Sequence, residues 1–509
     1  MPRAFLLSAA LLAACGTDET ISPASSGGSG DEAGFIELGP ITYAVHHQGI
    51  RTELTSSAAR IFYAFQTADD APEDKPLAVF WNGGPGAATG ILLGYNTAKR
   101  SLDPAFNGGG VVGADPASWS RFANLLYIDA RGTGFSYGRV EGVEDEVTRQ
   151  AEFGARNYNP WIDGADFVRV VLRFLRAHPA LESRPVVLVG ESYGGIRAAV
   201  FLELLLHHAS HGDGATDYED PALVEEVQAH FGAAAGAEIV AAQFGRQVLL
   251  QPRLSTPHQQ AAAGAAFEGP QSPLLAVAAE TGQPFVPCDQ KPAPCSAYEN
   301  AIAYLGIAGR DMYDLREPAG STLAGYDAIA PALSSPGPLS AALGVELGSV
   351  ADLGAAGRKD AYRLVVGALE DEPLAGVLGD LAPWDRYFRI QLFDAIGAPF
   401  AGAEAQSLGI DRRDVRWGGL FLDDLRYVQT FVTNASNDAV IYTPALAEAL
   451  AMYRDRVSGV AREPGQLRVR YLDGAERLLR FPAYPAAGHS VTVHQPLEVA
   501  EDVEAWLAE

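Results

Sequence analysis

The chain has 509 residues, with 37 Lys and Arg against 63 Asp and Glu, for a formal net charge of −26. At 48% hydrophobic and 20% charged it can bury a substantial core, so wholesale disorder is excluded. So acidic a surface repels nucleic acid and anionic lipid, and no polyanionic partner is expected.

In chain order, Arg3 is followed by an apolar stretch from Ala4 to Ala14, shorter than the about 20 residues a bilayer span requires. It ends in Leu12-Ala13-Ala14-Cys15, which resembles the bacterial lipobox. Residues 1–15 are therefore expected to be a lipoprotein signal peptide with Cys15 lipidated; an ordinary signal peptide cut nearby is the alternative. Residues 16–34 are polar and Gly/Ser-rich and read as a flexible tether, so membrane attachment is expected through the lipid anchor alone.

The folded part is expected from about residue 35. I-T-Y-A-V-H-H (41–47) and R-I-F-Y-A-F-Q-T (60–67) alternate and suit an antiparallel edge hairpin. P-L-A-V-F-W (76–81), N-L-L-Y-I-D (124–129) and P-V-V-L-V-G (185–190) are continuously apolar, as central strands of a sheet covered on both faces would be. Between the last two, 161–178 carries Phe167, Val170, Val171, Phe174 and Leu175 at helical spacing, with Pro179 just beyond. Strand, helix, strand predicts a right-handed parallel crossover and hence an α/β fold. From 207 to 384 strand-like runs become scarce, and a mostly helical cap inserted between the core segments 35–206 and 385–509 is expected. Within it Cys288 and Cys295 predict a small local disulfide, since the chain is read as exported and two thiols without a nearby His cannot complete a metal site. The core resumes with a strand at 426–434 and a strand-like 467–473. A closing helix at 496–508 offers Leu497, Val503 and Leu507 to the sheet.

The apolar strand ending at Gly190 runs into G-E-S-Y-G-G (190–195) and then an apolar helix. A G-x-S-x-G turn in that setting holds its serine on a sharp bend above the sheet, with the free N–H groups of the helix start beside it. Ser192 is the candidate nucleophile. It needs a base and a carboxylate to orient that base, and in α/β-hydrolases these follow in the order Ser, acid, His. Asp438, in a polar turn after the 426–434 strand, and His489, in A-A-G-H-S-V, satisfy that order at the carboxyl ends of strands.

Further blocks carry a resemblance to the serine carboxypeptidases of the α/β-hydrolase superfamily. These are W-N-G-G-P-G (81–86), D-A-R-G-T-G-F-S-Y (129–137) and G-H-S-V-T-V-H-Q-P (488–496), in family order with G-E-S-Y-G-G. The resemblance implies an α/β-hydrolase fold, a mostly parallel sheet flanked by helices with a helical cap. It implies hydrolysis of peptides from the C-terminal end, without a metal or cofactor. By the same resemblance the N–H groups of Gly84 and Tyr193 would form the oxyanion hole, and Asn82, the Gly83 N–H and a protonated Glu191 would receive the terminal carboxylate. Departures put that last role in question. Ala87-Ala88-Thr89 replaces the usual Cys-Ser-Ser, a second family Glu is replaced by Gly94 or Tyr95, and A-S-N-D stands for G-D-x-D. Lys99 and Arg100 are read as surface charge, His494 as lying behind or outside the site. His207, His208 and His211 are read as solvated helix-end residues with no carboxylate in register for a metal. An esterase or acyltransferase on this scaffold, and a non-catalytic binding lipoprotein, are the competing readings.

Overall fold

The continuously apolar runs become neighbouring strands because burial on both faces favours apolar side chains at nearly every position. In the computed structural model, which describes residues 30–94, 97–102, 112–134, 136–139, 154–325 and 396–509, the strands are as follows. They are β1 (Glu32–Leu38), β2 (Thr42–His47), β3 (Ile50–Thr55), β4 (Ala58–Gln66), β5 (Leu77–Trp81), β6 (Arg100–Leu102), β7 (Val112–Ala114) and β8 (Asn124–Ile128). There follow β9 (Tyr137–Arg139), β10 (Val186–Glu191), β11 (Tyr218–Glu219), β12 (Arg246–Leu250), β13 (Gln429–Val432), β14 (Val457–Glu463), β15 (Gln466–Tyr471) and β16 (Glu476–Arg480). Every residue of β5, β8 and β10 is buried.

The main sheet has the order β1-β4-β8-β5-β10-β12-β13-β16-β15-β14. Pairing is parallel from β8 through β5, β10, β12 and β13 to β16, and antiparallel at both ends. Two antiparallel-paired strands, β1 and β4, lead in, β8 and β5 stand in exchanged order, β10, β12 and β13 follow in sequence, and β16, β15 and β14 close the sheet in reverse order. This is the α/β-hydrolase fold.

Helices cover both faces. They are α1 (Gly90–Gly94), α2 (Pro160–Ala177), α3 (Gly194–Leu206), α4 (Pro221–Phe231), α5 (Ala237–Phe244), α6 (Thr256–Phe267), α7 (Pro273–Thr281) and α8 (Ala297–Ala308). After residue 396 come α9 (Ala403–Ser407), α10 (Arg416–Asp424), α11 (Leu446–Leu450), α12 (Val491–His494) and α13 (Pro496–Leu507). The predicted 161–178 helix is α2. Asn159 starts it by accepting the N–H groups of Trp161 and Ile162, and Pro160 fits the first turn, where no N–H is required. Among the described residues no helix is long and apolar enough to cross a membrane.

Several expectations need correction. The segments 41–47 and 60–67 do not pair with each other: β2 pairs with β3 in a separate small sheet, whereas β4 pairs with β1 and β8. The intervening β3 takes the hairpin position, which alternation alone could not reveal. The tether expected to reach residue 34 ends earlier, because Glu32–Gly34 already pair with β4. Residues 1–29, including Cys15, lie outside the described residues. The cap expected from 207 begins later: α4 and α5 form the crossover to β12, which lies in the main sheet between β10 and β13. The helical insertion is α6 to α8, and residues 326–395 lie outside the described set. At the C-terminus Val499, Val503 and Trp506 face the core, but Leu497 stands 43% exposed. The Cys288–Cys295 disulfide is formed, with Cα atoms 5.7 Å apart, ahead of α8.

Candidate active site

Ser192 joins β10 to α3 with φ of +57°, the left-handed region that few non-glycine residues occupy. Its neighbours over-determine that strain. The Ser192 N–H donates to Leu250 O at 3.0 Å, and its carbonyl accepts from Arg253 N at 2.7 Å and Gly195 N at 2.9 Å. Glycine is required on the flanks. A Cβ at Gly190 would lie 2.6 Å from Gly194 O, and one at Gly83 would lie 2.6 Å from Ser192 Cβ and 2.7 Å from Tyr193 N. The W-N-G-G-P-G loop therefore comes directly up against the bend that carries Ser192.

Asp438 and His489 meet although 51 residues separate them: His489 Nδ1 lies 2.7 Å from Asp438 Oδ2. An ionised carboxylate can only accept, so Nδ1 carries the proton and Nε2 keeps its lone pair. Asp438 is fully buried, and its Oδ1 accepts the N–H groups of Val440 and Ile441 at 2.9 and 3.0 Å. Burial opposes a charged His489, but the Asp438 carboxylate more than offsets it and holds the imidazole above its ordinary pKa. The His489 backbone is fixed by donation to Tyr313 O at 2.8 Å, with the Tyr313 ring edge-on to the imidazole. No hydrogen bond joins Ser192 to His489; the two side chains line one cavity, and such contacts often tighten only when substrate is bound.

That cavity encloses about 840 Å³ of empty space, part of it continuous with solvent, and Asn82, Gly84, Glu191 and Tyr193 also line it. Gly84 has a φ of +111°. Among the described residues neither the Gly84 nor the Tyr193 N–H has a protein acceptor. Burial raises the Glu191 carboxyl to about 7, with His489 pulling it down and Asp438 pushing it up. The Asn82 Nδ2 is buried without a partner, whereas the Gly83 N–H donates to Asn82 Oδ1 at 2.5 Å. The Gly83 N–H, expected to receive a carboxylate, is directed at its own neighbour in this structure. The loop is anchored by Arg197, which reaches Asn82 O at 2.6 Å and Asp163 on α2 at 2.8 Å. Thr89, standing where the resemblance expected a serine, accepts from Asn82 N at 3.3 Å and donates to Ile128 O.

Lys99 and Arg100 do not line the cavity; Lys99 pairs with Asp31 at 2.7 Å. Gly94 ends α1, and Tyr95 lies outside the described residues. His494 accepts the Gly488 N–H and approaches Asp314 at 3.4 Å, steadying the loop before His489. The sequence reading missed three residues. Gln251, at the end of β12, donates to Asp438 Oδ2 at 3.2 Å. Arg253 and Arg412 both line the cavity, and among the described residues neither has a carboxylate partner. Arg253 donates to Val440 O at 2.7 Å, while Arg412 Nε is buried with no acceptor. Arg253 follows a strand end, a signal in principle, but its segment was read as cap.

Comparison with known proteins finds similarity over part of the chain. The family model described as serine carboxypeptidase matches residues 39–217. Serine carboxypeptidase-like 44 of Arabidopsis thaliana is 30% identical over 29% of this chain and 28% of its own length. The pheromone-processing carboxypeptidase KEX1 of Phytophthora infestans is 29% identical over 37% of this chain and 31% of its own length. The chain thus spans under a third of the length of these curated relatives. Among solved structures, a prohormone-processing carboxypeptidase from Saccharomyces cerevisiae aligns over 94% of this chain and 92% of its own, at 14% identity and a TM-score of 0.47.

Proposed function

We propose that this chain is a serine-type carboxypeptidase. The reading is carried by one cavity that brings together Ser192, the Asp438-bound His489 and two guanidinium groups without carboxylate partners. Ser192 Oγ attacks the carbonyl carbon of the last peptide bond while His489 Nε2 takes its proton. The oxyanion forms against the N–H groups of Gly84 and Tyr193, each such donor typically supplying about 3–4 kcal/mol to the transition state. The imidazolium returns the proton to the leaving amine. A water then repeats the attack on the Ser192 ester and frees the acid. Asp438 stays ionised throughout and holds the ring in the productive tautomer.

A carboxypeptidase must also recognise a free carboxylate. Asn82 Nδ2 and a protonated Glu191 offer hydrogen bonds, and Arg412 and Arg253 supply the charge. In a chain of net −26, leaving two arginines in one cavity without a carboxylate partner among the described residues has a physical rationale if an anion completes them. The test compares peptides bearing free and amidated C-termini, in wild type and in Arg412→Gln. The free acid should be preferred, and Arg412→Gln should raise its KM by roughly 10-fold or more while leaving the amide unchanged. Equal turnover of both peptides would favour the second reading, an esterase or acyltransferase, which rests on Gly94 or Tyr95 standing where the resemblance expected a glutamate. A fluorophosphonate probe that fails to label Ser192 would leave the binding lipoprotein.

We also propose export with lipidation at Cys15. The apolar run before it, the polar tether up to β1 and the Cys288–Cys295 disulfide, a bond suited to oxidising compartments, support this.

A further inference from the structure

Glu203 stands in the last turn of α3, His207 follows at that helix's carboxyl end, and Asp424 ends α10, which packs along α3. One donor atom from each of the three lies within 4.8 Å of the other two. Asp424 is fully buried, yet neither of its carboxylate oxygens has a hydrogen-bond partner. An orphaned buried carboxyl is costly, and native structures normally supply a donor, a counter-charge or an ion. Among the described residues neither Asp424 nor Glu203 has a Lys or Arg within ion-pair distance; Glu203 has only His207 at 3.9 Å and His211 at 3.5 Å.

We propose that Glu203, His207 and Asp424 form a divalent-metal site. Two carboxylate oxygens and one imidazole nitrogen suit a borderline ion such as Zn²⁺ better than Ca²⁺ or Mg²⁺, which favour oxygen donors throughout. A doubly charged cation neutralises both carboxylates and gives Asp424 the partner it lacks. His207 is 31% exposed, which gives the ion a route in from solvent and leaves room for a water ligand. His211 backs the site: its Nε2 is buried, has no hydrogen-bond partner and faces Glu203 Oε1, while its Nδ1 is held by Thr216 Oγ1 at 2.9 Å.

Glu203 and His207 are one helical turn apart, so half of the site was present as a sequence spacing. The expectation that His207, His208 and His211 are all solvated, with no carboxylate in register, is corrected: His208 and His211 are buried, and Glu203 stands one turn before His207. The site is structural. It lies at the opposite end of α3 from Ser192, about 20 Å away for a helix of this length, and ties the nucleophile's helix to α10.

The test uses the untagged full chain, stripped with a chelator and titrated with Zn²⁺ by calorimetry, then melted with and without the ion. One ion per chain should bind, and the melting midpoint should rise by about 2 °C or more. Asp424→Asn and His207→Ala should each bind at least roughly 10-fold more weakly, with circular dichroism unchanged. His207 is partly exposed, so its variant keeps the proposal testable should Asp424→Asn not fold. His207→Ala should still be labelled at Ser192 by a fluorophosphonate, which separates this site from the catalytic reading. Absence of stoichiometric Zn²⁺ binding by the folded wild type, or undiminished binding in the folded variants, would overturn the proposal.

Discussion

Glu191 occupies the last position of β10, one residue before Ser192, and burial sets its behaviour. In water its carboxyl would ionise near 4.5; in the fold it does so at about 7. Below the lower value both states are protonated and the residue costs nothing. As pH rises towards 7 the unfolded chain ionises and the folded one resists, so stability is lost by about 3 kcal/mol in all. Glu191→Gln should therefore be more stable than wild type at pH 8 by up to that amount, with the difference vanishing near pH 4, as urea denaturation at both pH values would measure. A gap independent of pH would remove the case for a buried neutral carboxyl. The same substitution should flatten the alkaline decline in kcat/KM for free-acid peptides, because only the protonated carboxyl can donate to a carboxylate.

At the scale of elements, the bend between β10 and α3 depends on close packing against Trp81. Trp81 is fully buried and its Nε1 donates to Gly194 O at 2.9 Å, and a Cβ at Gly190 would meet both groups at under 3.0 Å. Gly190→Ala should cost about 1–3 kcal/mol by overpacking. It should also depress turnover, since relief requires moving the backbone beside Ser192. An unchanged urea midpoint together with full activity would show the contact to be slack. Elements of this kind were readable from sequence wherever burial writes a continuous signal, as in β5, β8, β10 and α2. β12 was not, because R-Q-V-L-L follows an Ala-rich helix and carries no turn residue beyond Gly245 to set it apart. β1 was hidden by the acidic and glycine residues around it. The Ser, Asp and His positions were legible because each sits in a turn with its own local chemistry. Arg253, Arg412 and Asp424 were not: what distinguishes them is the lack of a counter-charge among the described residues, which is visible only in three dimensions.

For the whole molecule, the net charge of −26 bears on the proposed lipid anchor. An acidic body held to a membrane by one lipid would stand off an anionic surface, with the polar segment before β1 spanning the gap. Cys15→Ser should therefore move the protein from the membrane to the soluble fraction and abolish labelling by a fatty-acid analogue, while fluorophosphonate labelling of Ser192 persists. Retention of the variant on membranes would point to an attachment elsewhere in the chain.

The positive φ of Ser192 restricts what chemistry this scaffold could ever host. A residue branched at Cβ crowds its own backbone in that conformation, so threonine is barred by shape although it carries the same hydroxyl. Cysteine has no such branch and would fit the bend. The position is open to sulfur and closed to a secondary alcohol.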